Sequence, residues 1–491
     1  MVGLTDQAGP GDYDVVVVGS GPGGLQTAYC LQRLGIEHAV ISADEAPGGM
    51  FRFWPIFGRL LSWSKPDAPY EPTSREYEWH DHNSLLADDP ELRALVPRRM
   101  DRSFAVPTRE EMVAGHAEFA ARAGLTVRYG CRWEATRRDA DGRLVLTTTA
   151  GEYRCRAAVF AIGVTEPWRS PIPGIEAVPH YADTREASSY RDRRVFVIGK
   201  RNSGFELADG LLPWARQLVV ASPSPVRAEV LALSTVRVRY FQPLEDSVVG
   251  GGTIALDAAI ESIERTGGGF RIRAQGTTQP GELVFEPDDV IAATGFRAPL
   301  RDLPELGVVT VAQGRVPALT PFFESTSARG IFFAGNATQG AAGLRREGVV
   351  STSAAVQGFR YNARILAEHL AERLGRPRAR VRVDARELPA LLGQALARSP
   401  ELWAQKGYLA RAFSLEEAAD EGVVPLEHFV DAAGHDGVAV TVELDGGGRI
   451  FPAVYLRRGG KLRIERLDAH PLHAFDGEPY RRSLAQLLGI A

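Results

Sequence analysis

Two segments of the chain share one local pattern, in which an apolar run leads into a glycine-containing loop and then into a helical stretch. In the first segment, residues 15–18 lead into Gly19, Gly21 and Gly24. At this spacing the first glycine permits a tight turn, the second lets the backbone approach a pyrophosphate, and the third lets helix and strand pack closely. The segment predicts a βαβ dinucleotide site with phosphates at the helix N-terminus.

The sequence offers more than one candidate for the ribose-binding residue of this first site. An acid is expected where the second strand ends, and counting back from the pair Gly48 and Gly49 puts Ser42 at that place. Asp44 and Glu45 follow closely, and the sequence leaves open which residue binds the ribose. We assign Ser42, Asp44 and Gly49 to this cofactor site.

The second segment, residues 195–211, has an arginine where its middle glycine would stand. Its loop comprises Gly199, Lys200, Arg201, Asn202, Ser203 and Gly204, and its next strand ends at Ser222 rather than at an acid. Without that carboxylate a 2′-phosphate is not repelled, and Lys200, Arg201 and Arg227 supply positive charge, which favours NADPH over NADH. The alternative is that these charges are merely solvated. Arg201 implies either loose binding or phosphate binding through its side chain.

Composition narrows the class of protein. The 491 residues carry a net charge of −4 and three cysteines, Cys30, Cys131 and Cys155, which form no CxxC pair and no metal-ligand spacing. We therefore expect no metal site, no nucleic-acid partner and no disulfide framework. We see no leader-like N-terminus and no apolar run of membrane-spanning length, so the expected location is cytoplasmic and no membrane partner is expected.

Three further glycine turns complete an α/β fold with two Rossmann-like dinucleotide-binding domains. Gly163 precedes a proline-rich crossover, Thr294 and Gly295 repeat that device, and Gly335 and Asn336 open a late loop that returns to the first cofactor. We expect a first cofactor domain at residues 12–190 and 299–380, a second at 191–298, and a C-terminal α+β extension at 381–491. Hairpins at "DGGG" and "RRGG" are expected in the extension, as either a lid or a homodimer contact.

The stretches "VVGSGPGGL", "VIGKRNSGFE", "AATGF" and "FFAGNATQG" resemble the single-component (class B) flavoprotein monooxygenases, which include flavin-containing monooxygenases and N-hydroxylases. "WHDHNSLLADDPEL" and "GFRYNARIL" look most like the branch related to FAD-dependent oxidoreductase-domain proteins. The resemblance covers residues 12–370 well. The Baeyer–Villiger signature FxGxxxHxxxW is absent, which disfavours ketone oxygenation.

The resemblance implies FAD at the first loop and NADPH at the second. It also implies a C4a-hydroperoxyflavin that passes oxygen to a nucleophilic nitrogen or sulfur. We expect N-hydroxylation of a small amine, with an acidic amino acid such as aspartate as one option, since some bacterial relatives of this type convert aspartate towards nitrosuccinate. The alternative is an electron-transferring oxidoreductase or a partner-binding flavoprotein that does not oxygenate.

Candidate reactive residues lie in two segments. Lys65, one of only four lysines, with Ser64 beside it, occupies the neighbourhood of an asparagine common in flavin-containing monooxygenases. We expect Lys65 to donate to the flavin hydroperoxide or to a substrate carboxylate, unless it is a surface lysine. Asn83 and His82 either serve catalysis or hold their loop, and the second role is favoured.

Two arginines and an aromatic run complete the expected site. Arg345 and Arg346 follow the last glycine loop, where a helix is expected to start, and are candidates for binding a substrate carboxylate. Residues 51–61 are expected to form a wall against the flavin. Cys30 is expected to be a packing residue.

Overall fold

The computed structural model describes residues 8–226, 252–432 and 435–490, which form two compact units. One unit runs up to Arg52 and includes Ser62–Val164 and the chain from Ala298 onward. The other contains Phe53–Leu61 and Thr165–Arg297. The second unit thus begins earlier than the expected residue 191, and it takes in most of the aromatic run.

The α-helices of the described ranges are α1 (Pro22–Arg33), α2 (Arg109–Arg122), α3 (Asn202–Leu211), α4 (Val356–Arg373), α5 (Leu388–Arg398), α6 (Pro400–Ala404), α7 (Leu426–Asp431) and α8 (Glu478–Leu488). Proline at the first position of α1 and a capping box between Thr108 and Glu111 at the start of α2 explain where these two helices begin. No helix in the described ranges is both long enough and apolar enough to cross a membrane.

The first unit contains a six-stranded sheet of β1 (Gly11–Val18), β2 (His38–Ile41), β3 (Trp133–Arg138), β4 (Leu144–Thr148), β5 (Gly151–Phe160) and β16 (Ile331–Phe333). Strand β1 lies between β2 and β5 and is parallel to both, with Val17 opposite Val40 and Val159. Strands in this position are covered on both faces, which explains why the first apolar run is continuous rather than alternating.

The second unit contains a sheet in the order β11-β10-β9-β8-β7-β12. Its strands are β7 (Arg194–Ile198), β8 (Gln217–Ser222), β9 (Thr253–Thr266), β10 (Gly269–Gly276), β11 (Glu282–Phe285) and β12 (Asp289–Ala292). Strand β7 is parallel to β8 and β12, as β1 is to its two neighbours. A ribbon of β6 (Glu166–Pro167) and β13 (Phe296–Arg297) pairs the two crossovers antiparallel. The two expected dinucleotide folds are confirmed.

The C-terminal extension belongs to the first unit and forms a six-stranded antiparallel sheet. Its strands are β17 (Val381–Arg382), β18 (Leu409–Ser414), β19 (Ala419–Pro425), β20 (Gly437–Leu444), β21 (Ile450–Arg458) and β22 (Lys461–Arg466). The hairpins β20–β21 and β21–β22 turn at the two glycine stretches that the sequence indicated. A small ribbon of β14 (Thr310–Val311) and β15 (Val316–Pro317) precedes the extension.

Most of the aromatic run belongs to the second unit. Trp54, Ile56, Phe57 and Leu61 pack against the core of the second unit. The ring of Phe57 lies so close to Gly210 that a Cβ there would be 2.4 Å from it. The backbone N–H of Phe57 also donates to Glu206 at 3.0 Å. The chain enters the second unit after Arg52, and the wall against the flavin stays a prediction.

Candidate functional site

The first glycine loop is shaped by contacts between its own backbone atoms. Gly19 has a φ of +114°, and a Cβ there would be 2.5 Å from the carbonyl oxygen of Ala161. A Cβ on Gly24 would be 1.9 Å from the carbonyl oxygen of Gly19. Side chains are excluded at both positions by the protein itself, which accounts for two of the three glycines.

Gly21 is different, because the protein does not crowd it. Its backbone is extended, with a φ of −69°, and a Cβ there would come no closer than 3.7 Å to any atom, Cα of Gly49 being nearest. Gly49 has a φ of +55° and faces Gly21, whereas Gly335 packs against Gly23, where a Cβ would be 2.4 Å from Cα of Gly335. Three separate chain segments thus meet around the N-terminus of α1 as bare backbone, which suits a pyrophosphate.

Ser42 directly follows Ile41, the last residue of β2. Ser42 is buried, and its Oγ accepts hydrogen bonds from the Ser20 hydroxyl at 2.8 Å and from the N–H of Asp44 at 3.2 Å. Asp44 is half-buried, and its carboxylate lies 3.9 Å from Arg52. Burial raises the pKa of Asp44. Ser42 therefore holds the loop, and the carboxylates of half-buried Asp44 and exposed Glu45 stay the candidates for the ribose.

The second loop repeats the geometry of the first, despite its arginine. Gly199 has a φ of +123°, and a Cβ on Gly204 would be 1.9 Å from its carbonyl oxygen, as in the Gly19–Gly24 pair. Arg201 caps α3 where Gly21 caps α1, with an extended φ of −109° that any residue adopts. Asn202 and Ser203 open the helix. The loop keeps the backbone geometry of the first one. Arg201 stands at the position of Gly21, which is the glycine of the first loop that the protein does not crowd.

Lys200 is not the free cation that the sequence indicated. Its side chain is 2% exposed and forms an ion pair with Asp257 on β9. Asp257 also accepts from the Thr278 hydroxyl at 2.7 Å and lies opposite Ser222 in the β8–β9 register. Sequence reasoning missed Asp257 because it is distant in the chain and lies within a strand. Arg227, expected near the 2′-phosphate, falls outside the described residues.

The two crossover turns have left-handed glycines, Gly163 with a φ of +72° and Gly295 with a φ of +97°. The Thr294 hydroxyl donates to the carbonyl of Trp168 at 2.6 Å, and the N–H of Trp168 donates to the carbonyl of Gly295 at 3.0 Å. These bonds lock the second turn to the first crossover. Both turns therefore shape the backbone between the nucleotide folds.

Lys65 is exposed, and its ammonium lies 4.5 Å from the centroid of the Trp63 ring. Its neighbour Ser64 is buried and donates to Asp81 at 2.6 Å, and the Asn83 amide donates to Ser64 Oγ at 3.0 Å. Ser64 and Asn83 thus direct their polar groups into a closed network that holds the Lys65 loop. His82 accepts from the Trp63 indole N–H at 3.0 Å.

The two arginines of the late loop do not start a helix, contrary to expectation. Arg345 has a φ of +49°, and α4 begins only at Val356. Arg346 donates to the Tyr455 hydroxyl at 3.0 Å, and Tyr455 donates to Glu443 at 2.6 Å. Arg346 therefore faces the C-terminal extension, whose sheet could not be placed from the sequence.

A buried polar network behind the late glycine loop was also missed. The Asn362 amide donates to Thr338 and Ser353, both at 2.9 Å, and Gln405 donates to Asn362 Oδ1 at 2.8 Å. The N–H of Thr352 donates to Gln405 Oε1 at 2.8 Å. Thr338 lies in the 3-10 turn Gly335–Gly340, which also contains Asn336. Gln405 of the extension thus supports the turn that packs on the first glycine loop.

All three cysteines are free and buried. Burial raises the pKa of Cys30 to about 11 and that of Cys155 to about 12. A thiolate is the reactive form of cysteine, so neither thiol is prepared for disulfide exchange. The packing role expected for Cys30 is consistent with these surroundings.

The chain is similar in sequence to several named proteins. FAD-dependent oxidoreductase domain-containing protein 2 of Mus musculus is 26% identical over 397 residues, and that of Danio rerio is 30% identical over 221 residues. These alignments cover 72% and 44% of the chain, but only 58% and 31% of the relatives' own length. Ferredoxin–NADP reductase 1 of Cupriavidus metallidurans is 26% identical over 335 residues, which is 66% of the chain and 81% of that relative.

Solved structures share the fold at low identity. A flavin-containing monooxygenase from Stenotrophomonas maltophilia superposes with a TM-score of 0.55 at 21% identity, covering 74% of the chain and 99% of that structure. An ornithine N-hydroxylase from Kutzneria sp. 744 gives 0.55 at 17%, with 74% and 100% covered. A bacillithiol disulfide reductase from Staphylococcus aureus gives 0.56 at 16%, with 74% and 99% covered.

The family model that matches describes the pyridine nucleotide-disulphide oxidoreductases, and it spans residues 16–335. That range includes both glycine loops, both crossover turns and the start of the late loop. The chain therefore belongs to the pyridine nucleotide-disulphide oxidoreductase family.

Proposed function

We propose that the protein is a flavin monooxygenase that N-hydroxylates a small amine and takes its electrons from NADPH. The observation that carries the proposal is the state of the cysteines in a family named for disulfide chemistry. All three are buried, and two have raised thiol pKa values. Electrons from NADPH therefore have no protein dithiol to reduce, which leaves an external acceptor.

The resemblance to class B monooxygenases favours dioxygen as that acceptor. Bound FAD supplies the redox chemistry and the activation of dioxygen, and the protein supplies binding, orientation and exclusion of water. The balanced reaction is R–NH2 + O2 + NADPH + H⁺ giving R–NHOH + NADP⁺ + H2O. One oxygen atom enters the amine and the other leaves as water.

The residues of the chain divide this work. The backbone around Gly21, Gly49 and Gly335 would hold the FAD pyrophosphate, and Asp44 would accept from its ribose. The α3 N-terminus with Arg201 would hold the NADPH pyrophosphate. Lys65, exposed and stacked on Trp63, is the group we propose for a substrate carboxylate, with Ser64 and Asn83 positioning its loop. An acidic amino acid such as aspartate is the substrate class that this lysine favours.

The test follows the fate of both oxygen atoms by isotope labelling of dioxygen. The FAD-loaded protein is given NADPH, ¹⁸O2 and a panel of amines with and without carboxylates. NADPH oxidation, hydrogen peroxide and labelled hydroxylamine are then measured. We expect labelled product and little hydrogen peroxide with an accepted amine. Hydrogen peroxide in proportion to NADPH for every amine would reject the proposal.

A second candidate is electron transfer to another protein, which the likeness to ferredoxin–NADP reductases favours. In that case the same assay yields no labelled product, whereas a reduced ferredoxin accumulates anaerobically when NADPH is supplied. An arm of the experiment with ferredoxin and without dioxygen therefore separates the two candidates.

A further inference from the structure

The buried ion pair at the second nucleotide site has an unusual position. Strands β7, β8 and β9 run parallel, and they bring Gly199, Ser222 and Asp257 to the same end of the sheet. Lys200 follows Gly199 directly, yet its ammonium reaches Asp257, which lies one strand beyond β8. The Lys200 side chain therefore joins the first and third strands at the end where a nucleotide binds.

This end of the sheet normally decides between the two nicotinamide cofactors. An acid at the end of the second strand accepts hydrogen bonds from the 2′-hydroxyl of NADH and repels the 2′-phosphate of NADPH. Ser222 occupies that place here, but a carboxylate is still present on the adjacent strand. Asp257 is opposite Ser222 on the adjacent strand, and neighbouring strands lie about 4.8 Å apart.

Asp257 is held as an anion. The hydrogen bond from Lys200 lowers its pKa, and the Thr278 hydroxyl donates to its second oxygen at 2.7 Å. The lowered pKa favours the carboxylate form of Asp257, and the Lys200 ammonium lies against it as the opposite charge. Burying an ammonium is unfavourable unless it is paired, which accounts for a lysine with 2% exposure at this point.

We propose that the Lys200–Asp257 pair sets the preference for NADPH: Lys200 neutralises a carboxylate that would otherwise repel the 2′-phosphate. Lys200 then acts through Asp257 rather than as a phosphate ligand, so it is a positioning and charge-balancing residue. Arg201 remains as the net positive charge of the loop, and it forms no ion pair with any other described residue. The inference concerns cofactor binding alone and does not depend on oxygenation.

The test compares NADP⁺ and NAD⁺ binding to the oxidised, FAD-loaded protein by isothermal titration calorimetry. Lys200→Met should lower the ratio of NADP⁺ affinity to NAD⁺ affinity about tenfold or more, because like charges then face each other. Lys200→Met/Asp257→Asn should restore that ratio to near the wild-type value. Asp257→Asn alone should keep or raise the ratio.

Arg194→Met is the matched control, because Arg194 forms an ion pair with Asp288 at 2.8 Å at the opposite end of β7. It should leave the ratio unchanged. FAD absorbance and melting temperature report folding for each variant. If Lys200→Met does not fold, the double variant still decides, since removing both charges leaves no buried ion unpaired.

Two results would overturn the inference. If the double variant selects NADP⁺ as poorly as Lys200→Met does, Lys200 is a direct phosphate ligand. If only the double variant folds, a ratio of NADP⁺ affinity to NAD⁺ affinity below the wild-type ratio leads to the same conclusion. Equal weakening of NADP⁺ and NAD⁺ by Lys200→Met would make the pair purely structural. Restoration of the ratio in the double variant is the result that supports charge balance.

Discussion

Gln405 Nε2 donates a hydrogen bond of 2.8 Å to Asn362 Oδ1, and both side chains are fully buried. Asn362 in turn donates to Thr338 in the 3-10 turn that packs on the first glycine loop. This chain of bonds makes the C-terminal extension part of the support of the proposed FAD site. Gln405, 65 positions after the end of the 3-10 turn at Gly340, thus contributes to the shape of that turn.

Gln405→Ala should destabilise the protein and weaken FAD binding together. The substitution strands the Asn362 carbonyl and the Thr352 N–H without partners, and each buried unpaired group costs about 1–3 kcal/mol. Urea unfolding should show a loss of about 2–6 kcal/mol, the sum for the two groups. Gln32→Ala is the control, since exposed Gln32 makes one bond at 3.0 Å and should change stability little. Equal effects of the two substitutions would contradict the supporting role.

Gly21→Ala and Gly24→Ala should fail in different ways. A Cβ on Gly24 would be 1.9 Å from a backbone oxygen, so this variant should unfold the loop and lower the melting temperature without FAD. A Cβ on Gly21 would be 3.7 Å from its nearest neighbour, so the apoprotein should melt normally. FAD fluorescence titration should still show binding at least about tenfold weaker for Gly21→Ala, because the methyl group faces the pyrophosphate. Normal FAD affinity in Gly21→Ala would reject that placement.

Lys65→Ala should raise the KM for a carboxylate-bearing amine about tenfold, as loss of one charge-assisted contact does. NADPH-driven flavin reduction should be unchanged, and the KM for an amine without a carboxylate should not move. Lys461→Ala is the matched control, because Lys461 is exposed in β22 of the extension. The assignment fails if both amines respond alike to Lys65→Ala.

His116 should make the fold sensitive to mild acid. It is fully buried on α2, its Nε2 donates to the carbonyl of Asn83 at 3.1 Å, and burial lowers its pKa to about 4. Between pH 6.5 and 4 the unfolded chain binds this proton more readily than the folded one, so stability falls as pH falls. The loss from this group should be about 2 kcal/mol between pH 7 and 5.

His116→Gln removes the titrating group while keeping a donor for Asn83. Urea unfolding at pH 7 and 5 should therefore show a smaller pH dependence in the variant than in the wild type, whatever its absolute stability. Parallel wild-type and His116→Gln profiles would show that unfolding takes up no proton at this histidine, so that burial does not lower its pKa.

The nucleotide folds were predictable because their signals are local. Each loop lies within one strand–turn–helix segment, and Gly19, Gly24, Gly199 and Gly204 are fixed by atoms only a few residues away or on the adjoining strand. The hairpins of the extension were predictable for the same reason, since glycine stretches between alternating strands mark their own turns.

The missed features all depend on contacts between distant parts of the chain. Lys200 was expected to offer its charge to a 2′-phosphate, but β9 places Asp257 beside it. Arg346 was a candidate for a substrate carboxylate, and the extension places Tyr455 beside it. The sequence did not indicate that the chain changes units within residues 51–61. Local pattern carries no information on which distant partner a side chain meets.

Leu344 has a consequence for any attempt to graft this extension onto another flavoprotein. It lies in the loop after the late glycine turn, yet it packs into the extension's core with Leu426, Phe429 and Tyr455. A graft that begins at residue 381 would carry the extension's core without Leu344. A side chain of the host protein would then face that core in its place. Compatibility between host and graft is therefore decided at residue 344, outside the transplanted piece.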